Sequence, residues 1–391
     1  MVNYLDNKSL KLNWVGSMPE KGKKTALLVP QYNEGRNGNF LTRLEYFKRI
    51  ADEFKEELDV VLIDDASSDD SLDKIKDFVK VNECCFFVAA VYPNGNKVGA
   101  LFLLTLEISH EFVILSDFDT DIAGLGHFSK SLDILKNDRA LMGCYFRMIP
   151  YEGTGSVFDF QVLEYALLRS LYKFHKKEDS ITVMPGAGSC YKREVLISIY
   201  YNHSGLRNGE DREATMIGLK FGYKAFYFDE MLALTRPPLS FKKLIAQRIR
   251  WNLGYLETFH KERKYYWRQI AKCSRIGMRS LLDIILVACT VLLPLGILTI
   301  SIVWPYLLPV FLVIVYTACL IWCLNLIALA PRETEDFKGQ KIGTILVYPI
   351  LKVSLDYIAW TGAFSSFLSR NFKKPRNLKY EVHTQTRSGY L

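Results

Sequence analysis

Four short acidic or basic strings carry side chains whose type and spacing suit chemistry. Asp117-Phe118-Asp119 follows an apolar run, and alternate residues of an extended segment face the same way. Two carboxylates so placed can hold a hard cation such as Mg²⁺ or Mn²⁺, which keeps water and takes substrate phosphate oxygens. The same string also fits a solvated loop. Asp64-Asp65 ends another apolar run, where a carboxylate can accept hydrogen bonds from a base or ribose edge, or cap a turn with Ser67 and Ser68. Glu210-Asp211, after Gly209, pairs two carboxylates, an arrangement that raises one pKa and supplies a general base; a surface charge run reads the same way. In Gln247-Arg248-Ile249-Arg250-Trp251, a helix puts Gln247, Arg250 and Trp251 on one face. An amide, a guanidinium and an indole together suit a diphosphate sugar.

The elements that must carry these strings read as alternating strands and helices. Apolar runs at 25–30, 60–63, 86–91 and 112–115 end in polar clusters, with helix-like segments between. That alternation predicts an α/β domain with a mostly parallel sheet. In such sheets ligands bind beyond the carboxyl ends of the strands, which places the acidic strings on one rim.

Composition adds a second part. The 391 residues are 49% apolar and 24% charged, which excludes whole-chain disorder. A mean hydropathy of +0.05 lies between a soluble enzyme and a protein made of spans. No charged residue occurs from 284 to 331, room for two helices of roughly 20 residues. Trp304-Pro305-Tyr306 divides this stretch and predicts a hairpin. A third apolar stretch, 342–368, contains Lys352 and Asp356, and charge at mid-bilayer is expensive. Lys261, Arg263, Lys264 and Arg268 precede the hairpin, and Arg370, Lys373, Lys374 and Arg376 follow the third stretch. Both ends ask to be cytoplasmic, so 342–368 is expected to lie at the interface rather than cross. Helical segments at 157–177 and 240–279 are basic and aromatic, and the former fits either a membrane surface or the sheet. Eight cysteines form no C-x-x-C pair, which argues against structural zinc and a disulfide scaffold. The first 20 residues hold no apolar core of signal-peptide length. The net charge of +8 clusters beside the spans, so no nucleic-acid partner is expected.

Together the strings resemble the membrane-bound family-2 glycosyltransferases, which include cellulose, chitin and hyaluronan synthases. The resemblance rests on Val29-Pro30-Gln31-Tyr32-Asn33-Glu34, Ile63-Asp64-Asp65-Ala66-Ser67, Asn96-Lys97-Val98-Gly99-Ala100, Asp117-Phe118-Asp119, Gly186-Ala187-Gly188-Ser189-Cys190-Tyr191, Gly209-Glu210-Asp211 and the Q-x-x-R-W string ending at Trp251. It implies a GT-A (Rossmann-like) catalytic domain, then amphipathic interface helices and C-terminal transmembrane helices. Expected boundaries are a polar segment 1–24, the GT-A domain 25–239, interface helices 240–280, a transmembrane hairpin 281–331, a third membrane or interfacial helix 332–371 and a basic cytoplasmic tail 372–391.

By that resemblance Asp64 and Asp65 sit at the uridine, with Asp65 the base contact, and Lys97 lies near the donor phosphates. Asp117 and Asp119 serve the ribose-diphosphate and a Mg²⁺ or Mn²⁺ ion. Asp211 is the general base beside Glu210, and Gln247, Arg250 and Trp251 close over the diphosphate and acceptor end. The implied activity is inverting transfer from a UDP-sugar, GlcNAc or glucose, to a growing polysaccharide at the cytoplasmic face of an inner or plasma membrane. The alternative is addition of one sugar to a lipid or lipid-linked acceptor. A single hairpin is a poor polysaccharide channel, so either export needs a homo-oligomer or another protein, or the product is short or lipid-linked. A membrane-tethered binding module is a rival of a different class, which the intact acidic strings oppose.

Overall fold

The computed structural model describes residues 10–82, 86–172, 181–329 and 341–369. Cys84, Cys85, Lys173, Lys176, Lys177 and the basic tail from Arg370 onward lie outside the described residues. In chain order the elements are β1 (Lys11–Trp14), β2 (Thr25–Gln31), α1 (Phe40–Glu53), β3 (Leu58–Asp64), α2 (Ser71–Val81), β4 (Phe87–Tyr92), α3 (Asn96–Glu107), β5 (Phe112–Leu115), β6 (Thr120–Ala123), α4 (Phe128–Asn137), β7 (Leu141–Pro150), α5 (Ser156–Tyr172), β8 (Ser189–Lys192), α6 (Arg193–Tyr201), α7 (Glu210–Lys220), β9 (Lys224–Thr235), α8 (Phe241–Ala271), α9 (Arg275–Val303), α10 (Leu308–Leu329) and α11 (Ile342–Ser369).

The chain divides into two compact units. The first takes the described residues up to Phe146 and Val183–Ala233; the second takes Arg147–Thr182 and the described residues from Leu234 to Ser369. A nine-stranded sheet orders its strands β1-β4-β3-β2-β5-β8-β7-β9-β6. The central β4-β3-β2-β5 strands are parallel, whereas β1 pairs with β4, β5 with β8 and β7 with β8 antiparallel.

The parallel strands are buried on both faces, which is why their sequences read as continuous apolar runs. Alternation then divides each run. Leu27, Val29, Val60 and Leu62 pack with Leu44 and Phe47 of α1 and Ile75 of α2. Ala26, Leu28, Val61 and Ile63 are equally buried, and α3 lies against β2 and β3. The register pairs Gln31 with Asp64 at the carboxyl ends of β2 and β3, so the two loops that follow start side by side.

The second unit is helical apart from the ends of β7 and β9. Phe160 and Leu163 of α5, Leu244 of α8, Cys323 of α10, and Tyr348 and Leu355 of α11 form its core. Helix α9 ends at Val303 and α10 begins at Leu308, so the break falls at Trp304-Pro305-Tyr306 as expected. Three helical segments, Arg275–Val303, Pro305–Ala328 and Ile342–Ser369, are long and apolar enough to cross a membrane.

Candidate active site

The acidic strings of the first unit gather at the carboxyl ends of β2, β3 and β5. The two adjacent aspartates after β3 part company. Asp64 is fully buried; it accepts hydrogen bonds from the Gln31 side-chain amide and, at 3.1 Å, from the Ser67 N–H. Burial pushes its carboxyl pKa up. Asp65 lines an open cleft of about 610 Å³. One of its oxygens accepts the Gly95 N–H at 2.6 Å and the other the Asn94 amide at 2.9 Å. A carboxylate has room for further donors beyond these two. Asn33, two residues after β2, accepts the Ser68 N–H at 2.7 Å and donates its own N–H to Ser67 Oγ at 3.0 Å, stitching the two loops together.

Asp117 and Asp119 line the same cleft, with Phe118 packed at 5.1 Å on Phe40 and 5.7 Å on Phe47. Lys97, at the start of α3, forms an ion pair with Asp117 and donates to the Gly186 carbonyl at 3.2 Å. Burial opposes its charge, but Asp117, Glu210 and Asp211 together hold its pKa above the ordinary lysine value. The Asp119 carboxyl is raised, first by burial and then by the Asp117 charge. Glu34, which the sequence reading left out of the site, also lines the cleft; burial and then Asp119 raise its pKa. Four carboxylates therefore face one ammonium among the described lining residues.

That imbalance is the test for a metal. Among the described residues, no three His, Cys, Asp or Glu side chains are grouped to hold an ion by themselves. Asp117 and Asp119 fit Mg²⁺ or Mn²⁺ in the way these ions usually bind beside nucleotides, through one or two carboxylates completed by phosphate oxygens and water. The mutual repulsion of Asp117 and Asp119 is what such a cation would relieve.

A second, narrow pocket is lined by Lys97, Gly186, Tyr191, Glu210 and Asp211 together with apolar side chains such as Leu101 and Met184. Lys97 lines both pockets. A Cβ at Gly186 would stand 3.0 Å from Lys97 Nζ, so glycine leaves the ammonium its place. Glu210 and Asp211 open α7, where the helix dipole favours carboxylates. Gly209 precedes them at φ 69°, in the left-handed region that glycine adopts without strain. Burial, and then the Asp211 charge, push the Glu210 carboxyl up to about 7. The start of α7 is braced from below. Buried Glu213 accepts the Ser204 N–H at 2.9 Å and the Ser204 hydroxyl at 2.5 Å. His203 Nε2 lies 2.9 Å from the Glu210 carbonyl, while Nδ1 lies 2.9 Å from the Gly205 N–H and 3.5 Å from the Glu213 carboxylate.

The structure thus brings Asp65, Lys97, Asp117, Asp119, Glu210 and Asp211 together around two pockets of one unit, and puts Asp64 beneath the rim. Gln247, Arg250 and Trp251 lie on α8 of the second unit. Arg250 and Trp251 are exposed and Gln247 is half-buried. Between them Arg248 is buried, stacks 4.1 Å from the Trp251 ring centroid and forms an ion pair with Glu164 of α5. Lys352 of α11 contacts Glu164 at 3.3 Å and Asp356 at 2.6 Å. Sequence reasoning quoted Glu34, Gly186 and Tyr191 within motifs but gave them no role, and it missed His203, Glu213 and Glu164, which no local pattern marks.

Comparison with known proteins agrees with this arrangement. Residues 115–330, more than half of the chain, match the model of glycosyl transferase family group 2, and residues 26–200 match that of glycosyl transferase family 2. A curated relative, the poly-beta-1,6-N-acetyl-D-glucosamine synthase of Staphylococcus epidermidis, is 24% identical over 216 residues, covering 55% of this chain and 50% of that protein. The match spans about half the length of that relative. Among solved structures, the mannosyltransferase PcManGT of Pyrobaculum calidifontis, in complex with GDP-Man and Mn²⁺, aligns over 92% of this chain and 91% of its own with a TM-score of 0.51 and 14% identity. That likeness concerns the fold, and the expected GT-A architecture holds. With the family models covering the strands that carry the acidic rim and the α9–α10 hairpin, the chain belongs to glycosyl transferase family group 2.

Proposed function

We propose that the chain is a membrane-associated, inverting glycosyltransferase that moves a sugar from a UDP-sugar to a carbohydrate acceptor. The observation that carries this is the pair of pockets sharing Lys97, one rich in carboxylates and one built around Glu210 and Asp211. Asp65 and the exposed ring of Tyr32 receive the base, and Lys97 meets the donor phosphates. Asp117 and Asp119 hold Mg²⁺ or Mn²⁺, which when bound offsets the charge of the diphosphate. Asp211 takes the proton of the acceptor hydroxyl while that oxygen bonds to the anomeric carbon. The bond from that carbon to the phosphate oxygen breaks on the opposite face, the configuration inverts, and the electron pair leaves on the nucleoside diphosphate. Glu210, holding a proton to near neutral pH, keeps a second negative charge away from Asp211. Gln247, Arg250 and Trp251 enter this reading by the family resemblance alone, as candidate contacts for the diphosphate and the acceptor.

The name of the staphylococcal relative favours UDP-N-acetylglucosamine as donor and a growing polysaccharide as acceptor. The experiment is a panel of UDP-sugars, with UDP-glucose and GDP-mannose as competitors, incubated with the purified protein and Mn²⁺ or Mg²⁺. A radiolabelled ladder of high mass supports the polymer. A single organic-soluble product supports one-sugar addition to a lipid. Release of no nucleotide from any donor contradicts the enzyme reading.

We further place the α9–α10 hairpin across the bilayer and α11 along its surface, with the first unit cytoplasmic. Helix α11 follows α8: Trp360 meets Tyr255 at 5.5 Å and Phe367 meets His260 at 5.9 Å. A Cβ at Gly362 would stand 2.8 Å from Ile249 Cδ1. Over the same length α8 carries Lys242, Lys243, Arg250 and Lys261. Those charges belong at headgroup level, not mid-bilayer. A reporter fused after Leu391 should therefore be on the same side as one inserted before β1; opposite sides would mean a third crossing.

A further inference from the structure

The residue that governs the Asp117-Phe118-Asp119 loop is not in the cleft. Arg43 of α1 is 3% exposed and reaches the loop from behind. Its Nε donates to the Phe118 carbonyl at 2.7 Å, one Nη donates to the Thr120 carbonyl at 3.0 Å, and the other Nη forms an ion pair with Asp121. The guanidinium stacks 4.5 Å from the Tyr46 ring centroid and 5.1 Å from that of Phe47. One helical turn on, Tyr46 extends the same grip. Its hydroxyl accepts the Ile122 N–H at 2.6 Å and donates to the Ile122 carbonyl at 3.2 Å. Helix α1 thus holds backbone atoms on both sides of Asp119 while leaving the Asp119 carboxylate on the cleft.

A planar fork is what this place requires. Two carbonyls and a carboxylate lie in three directions, and guanidinium presents separate donors to each at fixed angles. A lysine ammonium has donors at a single point and cannot span both carbonyls. The charge is tolerated in the interior because it is hydrogen-bonded, ion-paired and faced by two rings.

We propose that Arg43 is a positioning residue for the donor site, setting the spacing of the Asp117 and Asp119 carboxylates at which a divalent cation and a nucleoside diphosphate bind together. The proposal rests on the reading of those two aspartates as the cation's ligands. It predicts that the cation and the diphosphate depend on Arg43, whereas the base at Asp65, on a different loop, does not.

The test uses the full-length protein in detergent, with Mn²⁺ uptake followed by electron paramagnetic resonance and UDP, GDP and uridine binding by calorimetry. Arg43→Lys should weaken joint Mn²⁺–UDP binding by about 10- to 100-fold, the range typical of residues that orient metal ligands from behind. Uridine affinity should fall far less than Mn²⁺–UDP affinity, because its base is held at Asp65, on a different loop. Tyr46→Phe leaves Arg43 in place and removes the two Ile122 bonds; it should weaken Mn²⁺–UDP several-fold, and it carries the test if thermal melting shows Arg43→Lys unfolded. Parallel loss of uridine and Mn²⁺–UDP affinity in a folded variant would show a general structural role and overturn the proposal. So would unchanged Mn²⁺–UDP affinity in folded Arg43→Lys beside a wild type that binds. Wild-type protein that takes up no Mn²⁺ with either nucleotide overturns the donor-site reading itself, and this proposal with it.

Discussion

Each unit buries charge, but they finish the task differently. In the second unit Glu164 and Asp356 meet Arg248 and Lys352, so two negative groups face two positive ones within contact. In the first, Glu34, Asp65, Asp117 and Asp119 share a cleft with Lys97 alone among the described lining residues. The second unit's network is balanced in charge. The first unit's cleft carries an excess of negative charge, and the carboxyls of Glu34 and Asp119 are raised by burial and then by their acidic neighbours. Closed networks hold helices together; open ones wait for a ligand. Two arginines make the same point. Arg248 grips a side chain that links α8 to α5, whereas Arg43 grips backbone that presents two acids to solvent.

The largest effect should come from the open region. Asp211→Asn should lower transfer by about 10²- to 10⁴-fold, the usual worth of a general base, while Mn²⁺–UDP affinity stays near wild type. Near-normal turnover in that variant would move the base elsewhere. Next comes the closed region. Glu164→Gln leaves the Arg248 and Lys352 charges without their shared partner, and should cost about 3–5 kcal/mol of stability, as breaking a buried pair does. Thermal unfolding in detergent reads that loss. Nucleotide binding by the first unit should survive at temperatures below the transition, and simultaneous loss of both would mean that the two regions do not act independently.

The smallest effect is a pH dependence. Glu210 has an ordinary carboxyl value of 4.5 and is pushed up to about 7 by burial and by Asp211. Between those values the folded chain keeps a proton that the unfolded chain has released. Stability from this group is therefore present at low pH, falls as pH rises from 4.5 to 7, and is lost above it. Glu210→Gln should flatten that fall in a series of thermal melts. An equal slope in both proteins would place the raised pKa on another residue.

Much of the fold could be read locally. The runs at 25–30, 60–63, 86–91 and 112–115 are β2, β3, β4 and β5, because parallel strands buried on both faces leave an unbroken apolar record. Strands β6 and β9 left a weaker one: β6 has four residues directly after the acidic loop, and β9 mixes Asp229 and Glu230 into its pattern. The antiparallel return of β8 beside β5 depends on long-range pairing that no local pattern encodes. The site divides in the same way. Asp64 and Asp65 are equivalent in sequence, and only the pairing of Gln31 with Asp64 turns one carboxylate inward and leaves the other on the cleft. Lys352 and Asp356 announce an i, i+4 pair, but Glu164, which joins them to Arg248, is remote in the chain. Arg43 reads as an ordinary cation on an amphipathic helix, and it takes the folded β5–β6 loop to make it a clamp.

The most direct test of the open cleft is calorimetry of UDP with the purified wild-type protein, with and without Mn²⁺. Tight binding is expected only when the ion is present, and Asp119→Asn should lose it. Equal affinity in the presence of chelator, or full Mn²⁺-dependent affinity in Asp119→Asn, would contradict it.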